Sequence, residues 1–195
     1  MKSRILTYIT LIILPVGVMA QKSVSDFNLK NVVNGQSVSL SDHKNHDAVV
    51  VIFTSNYCPY AKLYEERLIA LHNSYQNQNI QVLLINPNHP DASPEDSESK
   101  MVQRAKDNNY PFPYLTDKDQ KAVSMFGARK TPEAFVLTPH STGFHIVYQG
   151  AIDDNPQSSG EVRDYHLKEA LDLVLADQRP SEDFQRPTGC MIRSN

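Results

Sequence analysis

The stretch Ala48-Val49-Val50-Val51-Ile52-Phe53-Thr54-Ser55-Asn56-Tyr57-Cys58-Pro59-Tyr60 decides how the rest of the chain reads. Its first six residues form a continuous apolar, mostly β-branched run, the pattern of a central strand covered on both faces. Pro59 suits the first position of a helix, where its missing N–H costs nothing. Ala61, Tyr64, Leu68, Leu71 and Tyr75 then recur at spacings of three and four, which marks one apolar helix face. Cys58 is therefore expected where a buried strand ends and a helix starts. Unpaired backbone N–H groups point outward at such a place, and the positive end of the helix dipole favours a thiolate over a thiol. The position predicts a reactive sulfur rather than an inert packed thiol. A Cys-x-x-Cys pair would need a cysteine three residues earlier, and Ser55 stands there.

Outward from this centre, the chain alternates. Phe27, Leu29, Val32, Val33, Val38 and Leu40 flank Asn34-Gly35, a strong hairpin signal. Ile80 to Ile85 reads as a second buried strand. Ser93-Pro94-Glu95-Asp96 carries a capping residue, a first-turn proline and acids, and opens a helix expected to run to about Asn108. Tyr110-Pro111-Phe112-Pro113 must be extended, because each proline drives its predecessor out of the helical region. Tyr114-Leu115-Thr116 is a short strand, and Lys118 to Phe126 a short helix closed by Gly127. Glu133 to Thr138 and Phe144 to Gln149 read as antiparallel strands, and Val162 to Ala176 as a last helix. Residues 177–195 read as a polar tail carrying Cys190. The order predicts an α/β fold: a mixed central sheet with helices on both faces and an N-terminal β-hairpin.

The first twenty residues read as a secretory signal. Lys2 and Arg4 precede an apolar segment from Ile5 to Val18, and Val18-Met19-Ala20 is a small-residue cleavage site. The segment is too short and interrupted for a comfortable membrane span. The mature chain is expected to begin at Gln21, with no membrane association after cleavage and a periplasmic address. The whole chain carries a net charge of −3 with scattered basic residues, which argues against a nucleic-acid surface. Among seven histidines, His43-x-x-His46 is a close pair in a polar turn with no partner spaced to complete a metal site. Asp153-Asp154 lacks a calcium-ligand ladder and reads as a turn. No metal and no cofactor is expected. In an oxidising compartment the two cysteines, Cys58 and Cys190, either pair or are kept reduced for a purpose.

Several stretches together resemble the peroxiredoxin-like redoxins of the alkyl hydroperoxide reductase/thiol-specific antioxidant superfamily, which have a thioredoxin-like fold. These are Asp26-Phe27-Asn28-Leu29 with Val38-Ser39-Leu40-Ser41-Asp42, Asn56-Tyr57-Cys58-Pro59-Tyr60, Asn86-Pro87-Asn88 through Pro94-Glu95-Asp96-Ser97, and Pro111-Phe112-Pro113-Tyr114-Leu115. Phe126-Gly127-Ala128, Thr131-Pro132-Glu133 and Gly150-Ala151-Ile152-Asp153-Asp154 continue the match, and Gly189-Cys190-Met191-Ile192 ends it. The resemblance covers nearly all of the chain beyond the signal, giving a redoxin domain over 21–176 and a tail over 177–195. It departs at Ser55, where the family usually has the first cysteine, and at Lys130, where it often has another. It is partial on the peroxidase side too: a hydroxyl residue stands three before the cysteine, but Val51 occupies the place of a proline seven before it.

The resemblance implies a thiol oxidoreductase with antioxidant activity. Cys58 would be the reactive sulfur, Ser55 a hydrogen-bond donor to its thiolate, and Thr131-Pro132 a cis-proline loop lying against the sulfur. Arg129, with Lys130, would add positive charge beside it. Cys190 has three readings: it resolves a Cys58 sulfenate, forms a permanent staple, or stays free on a mobile tail. Substrates would be peroxide or a protein disulfide or thiol, with an outside reductant of unspecified kind. The alternative is a redox-silent thioredoxin-fold module that binds peptides beside Thr131-Pro132, a reading favoured by the loss of the first cysteine.

Overall fold

The computed structural model describes residues 22–193, so the signal-like segment lies outside the described residues. The first strands are β1 (Ser23–Val24), β2 (Asn28–Asn31) and β3 (Ser37–Ser39), followed by β4 (Ala48–Phe53). Helix α1 (Pro59–Ser74) leads to β5 (Ile80–Asn86), α2 (Glu98–Asp107), β6 (Tyr114–Thr116) and α3 (Lys121–Phe126). Then come β7 (Lys130–Thr131), β8 (Glu133–His140), β9 (Gly143–Gly150) and α4 (His166–Leu175). Two short strands close the chain, β10 (Phe184–Gln185) and β11 (Cys190–Met191).

β4 is the middle of the sheet, parallel to β5 on one side and antiparallel to β8 on the other. Among the described residues nine strands join one sheet in the order β1-β9-β8-β4-β5-β6-β2-β3, with β10 added in parallel to β9 at Gln149 and Gly150, beyond the residues that pair with β1. All six β4 side chains are buried, which is why the run shows no polar alternation. Ala48, Val50 and Ile52 face one core layer with Tyr64 and Leu68 of α1, Met101 of α2 and Leu171 of α4. Val49, Val51 and Phe53 face the other, with Leu40 and with Ala122 and Phe126 of α3. Phe53, Phe126 and Phe135 meet edge to face with ring centroids 5.1–5.6 Å apart. Burying each such side chain stabilises the fold by about 1.5–3 kcal/mol, so the sheet carrying Cys58 at its rim is rigid.

The mixed sheet with helices on both faces and an N-terminal hairpin is as the sequence implies. Four segments differ. The helix expected from Ser93 is split: Pro94–Asp96 is a single 3-10 turn, and Ser97 is extended (φ −63°, ψ 149°) before α2 begins. Asp96 turns its carboxylate inward instead of out over the helix start. Helix α3 begins at Lys121 rather than Lys118, because Gln120 is left-handed (φ 55°) and Asp117 accepts the N–H groups of Lys121 and Val123. Helix α4 begins at His166 rather than Val162, because a 3-10 turn at Ser159–Glu161 precedes it and Asp154 accepts the N–H of Arg163.

The fourth difference is the largest. The segment read as a polar tail is built into the fold: β10 lies beside β9, and β11 pairs antiparallel with β7. Gly150 makes the first contact possible. Its φ is +135°, and a Cβ there would run into the carbonyl of Gln185. Gly150→Ala is therefore expected to lower stability by about 2–3 kcal/mol. Urea unfolding of the full chain measures this, and a loss below about 0.5 kcal/mol would mean that β10 does not hold this position.

Candidate active site

Cys58 occupies the N-cap of α1 with extended backbone (φ −74°, ψ 119°) and is fully buried. Helix geometry leaves the first-turn N–H groups of Tyr60 and Ala61 without intrahelical acceptors, while Lys62 N–H reaches the Cys58 carbonyl at 3.2 Å. The Cys58 sulfur is bonded to that of Cys190, 132 residues further on, with Cα atoms 5.8 Å apart. It also lies 3.0 Å from the carbonyl oxygen of Thr131. A bridged sulfur carries no hydrogen, so this is a contact; a reduced thiol would find an acceptor there.

The Thr131-Pro132 peptide is cis. The loop is held by Glu133, a buried carboxylate whose Oε2 accepts the N–H groups of Arg129 (2.8 Å) and Lys130 (3.0 Å). Its other oxygen accepts Gln149 Nε2 at 2.9 Å. The Thr131 hydroxyl is buried beside the bridge and has no hydrogen-bond partner among the described residues.

On the other side of Cys58 lies a buried polar cluster around Asp96, which is only 2 % exposed. Its carboxylate accepts from Ser55 Oγ (2.9 Å), Asn56 N–H (2.6 Å), Asn86 Nδ2 (2.8 Å), Asn88 Nδ2 (2.8 Å) and Ser93 Oγ (2.6 Å). Five donors replace the hydration that a buried carboxylate gives up. Tyr114 extends the cluster, donating to Asn56 Oδ1 at 3.0 Å and accepting from Asn86 Nδ2. Burial pushes its phenol well above the ordinary range, so it stays a neutral donor.

The chain end crosses the mouth of the site as a strap. Cys190 pairs with Thr131 and Met191 with Lys130. Ile192 N–H donates to Arg129 O at 3.0 Å, Arg193 N–H to Asn88 Oδ1 at 2.9 Å, and Gln120 Nε2 to Arg193 O at 2.7 Å. The Arg193 guanidinium lies 3.8 Å over the Tyr57 ring and donates to Ala92 O.

The structure thus brings Cys58, Cys190, Thr131 and Pro132 together. Cys190 is bonded, not free on a mobile tail. Ser55 is close in sequence but turned away: its hydroxyl donates to Asp96 and accepts from Tyr57 N–H and Asn88 Nδ2, so the expected bond to the Cys58 sulfur is absent. Arg129 contributes its backbone, through Glu133 and Ile192, while its side chain is exposed. The basic group over the mouth is Arg193. Tyr64 is a core residue, donating to the buried Asp153 at 2.7 Å, and Asp153 also pairs with Arg67. Burial and the Asp153 bond push the Tyr64 phenol above its ordinary range. Among the described residues no group of three His, Cys, Asp or Glu is placed to hold a metal.

Sequence reasoning missed the roles of Asp96, Asn86, Asn88, Gln120, Glu133 and Arg193. Asn86-Pro87-Asn88 was visible as a motif, but only the fold shows that both amides turn onto one carboxylate.

The arrangement defines a mixed α/β redoxin of thioredoxin-like fold with a cysteine pair at the helix N-terminus. Residues 20–153 match the AhpC/TSA family, and the chain belongs to it. It is 24 % identical over 109 residues to the thiol-disulfide oxidoreductase ResA of Halalkalibacterium halodurans, across 55 % of this chain and 57 % of that protein, so the match spans little more than half of that relative. An uncharacterized conserved protein from Geobacillus kaustophilus superposes with TM-score 0.81 at 32 % identity, covering 90 % of this chain and 92 % of that one. A hypothetical protein from Sinorhizobium meliloti superposes with TM-score 0.82 at 29 % identity, covering 92 % and 96 %.

Asp96→Asn would present an amide N–H₂ to donors that now meet a carboxylate. It is expected to cost about 2–4 kcal/mol, read by denaturant unfolding of the oxidised full chain. A loss under about 0.5 kcal/mol would mean that the carboxylate does not hold these loops.

Proposed function

We propose that this chain is an exported thiol-disulfide oxidoreductase in which Cys58 is the reactive sulfur and Cys190 its resolving partner. The observation that carries this reading is the Cys58–Cys190 bond itself, at a helix N-terminus and against the cis Thr131-Pro132 loop. The dithiol couple is then made between remote positions instead of within a Cys-x-x-Cys turn. Ser55, committed to Asp96, leaves position 58 without a neighbour in that turn.

In the oxidised form Cys58 is inaccessible and Cys190 is half-buried, so an incoming thiolate reaches Cys190 first. It attacks Cys190 Sγ, the Cys58–Cys190 bond breaks, and Cys58 leaves as a thiolate favoured by the helix N-terminus. A second thiol attacks the mixed disulfide and frees Cys190. In the reverse direction the Cys58 thiolate attacks a substrate disulfide and one substrate sulfur leaves as thiolate. The Cys190 thiolate then attacks Cys58 Sγ, releasing the second sulfur and restoring the bridge. With a hydroperoxide, the Cys58 thiolate attacks the terminal oxygen, the O–O bond breaks, and the other oxygen leaves and takes a proton, as the alcohol or as water; the Cys190 thiol then attacks the Cys58 sulfenic acid, closing the disulfide and releasing water. The signal-like residues 1–20 support delivery to an oxidising, periplasmic compartment, where residues 21–176 would form the redoxin domain and 177–195 its cysteine-bearing tail.

In the reduced protein the helix N-terminus should favour the Cys58 thiolate over the thiol. Peroxide titration of reduced wild type, Cys58→Ser and Cys190→Ser, followed by intact-mass analysis, tests the cycle. Wild type should close an internal disulfide, while Cys190→Ser should proceed to sulfinic acid at Cys58. A reduced Cys58 that resists both peroxide and alkylating reagents would leave the redox-silent peptide-binding reading ahead.

A further inference from the structure

The strap is a bound peptide that happens to be covalently attached. Its seat is made mainly of groups that recognise any extended backbone: Arg129 O takes the Ile192 N–H, Asn88 Oδ1 takes the Arg193 N–H, and Gln120 Nε2 reaches the Arg193 carbonyl. Antiparallel pairing with Lys130 and Thr131 sets the register, placing the strap's cysteine opposite Thr131 and against the Cys58 sulfur. Recognition by strand addition takes its affinity from the backbone and its selectivity from the side chains on the inward face.

Those side chains are unequal. Met191 is 64 % exposed and constrains nothing. Ile192 is half-buried on the hydrophobic layer that holds Phe126 and Phe135. Arg193 stacks on Tyr57 and donates to Ala92 O, a cation–π and hydrogen-bond pair that an acidic residue cannot make. Before the cysteine, a Cβ at Gly189 would run into the Thr131 carbonyl, so that place admits only glycine without movement. Two of the seat's groups are also held by bonds that do not involve the strap. Asn88 is fixed by its amide bonds to Asp96 and Ser55, which leaves its oxygen aimed at the strap. Gln120 is anchored to Pro87 O.

We propose that this seat is a substrate subsite: reduced Cys58 selects extended protein segments of the form Gly-Cys-x-aliphatic-Arg, and the strap is its internal occupant in the oxidised state. This rests on the reading of Cys58 as a reactive sulfur. Substrate and strap compete for one edge, so substrate binding belongs to the state in which the Cys58–Cys190 bond is open.

The test uses reduced full-length Cys190→Ser and peptides whose single cysteine is a mixed disulfide with 5-thio-2-nitrobenzoate. The Cys58 thiolate attacks the peptide sulfur, the mixed disulfide breaks, and the coloured aryl thiolate leaves. The reference peptide, Pro-Thr-Gly-Cys-Met-Ile-Arg, copies residues 187–193. Two others carry aspartate for the isoleucine or glutamate for the arginine. Rates are divided by those with free glutathione, which removes intrinsic peptide reactivity; the residual strap competes equally with all three. The reference peptide should react at least about tenfold faster than either variant. Tyr57→Leu should erase most of the arginine-over-glutamate preference while sparing the isoleucine-over-aspartate preference. Equal rates for the three peptides, within about twofold, would overturn the subsite. Failure of Cys58 to react with any activated peptide would instead remove the oxidoreductase reading on which the subsite rests.

Discussion

The Asp96 carboxylate is the constraint on which the rest of the site depends. A carboxylate this deeply buried is tolerable only if donors replace water, because an unpaired buried charge costs several kcal/mol. Its donors come from the loop after β4, the end of β5 and the segment before α2. Meeting that demand locks Ser55-Asn56 at the threshold of α1, and so fixes where Cys58 begins the helix. The same demand orients Asn88, whose remaining oxygen holds the strap. A single buried carboxylate thereby connects the position of Cys58 to the seat of Cys190.

The disulfide closes a loop across most of the described chain. On the chain-entropy model a loop of this length stabilises by about 4–5 kcal/mol. Without the bond, the strap rests on a few hydrogen bonds worth about 1 kcal/mol each, a cation–π contact of about 0.5–1 kcal/mol and the packing of half-buried Ile192. Opening a bond between positions 132 residues apart would free the strap's seat as well as two thiols, which a Cys-x-x-Cys turn cannot do.

What was legible in the sequence was local. The β4 run, the Asn34-Gly35 hairpin, Tyr114–Thr116 and the Pro59 helix start are all set by patterns within a few residues, and each appears where its pattern puts it. The split at Ser97 was hidden because a capping serine, a proline and two acids are also how an ordinary helix starts; only the inward turn of Asp96 distinguishes them. β10 and β11 were hidden for a different reason. Two-residue strands carry no periodicity, and their pairing depends on close approach at Gly150 and Gly189 to chain far away in sequence. Ser55 was read as a donor to the Cys58 sulfur, but its hydroxyl donates to Asp96 instead, since spacing cannot say on which side of the strand a hydroxyl turns.

A working redox couple at Cys58–Cys190 differs from a structural staple in its reduction potential. Equilibrating the full-length chain in graded dithiothreitol and glutathione buffers, then trapping thiols by alkylation and weighing the protein, distinguishes the two directly. A working couple gives a reversible two-electron transition within the range of disulfide oxidoreductases, about −120 to −270 mV. A bridge that stays closed below about −300 mV, where structural disulfides lie, would contradict the oxidoreductase reading.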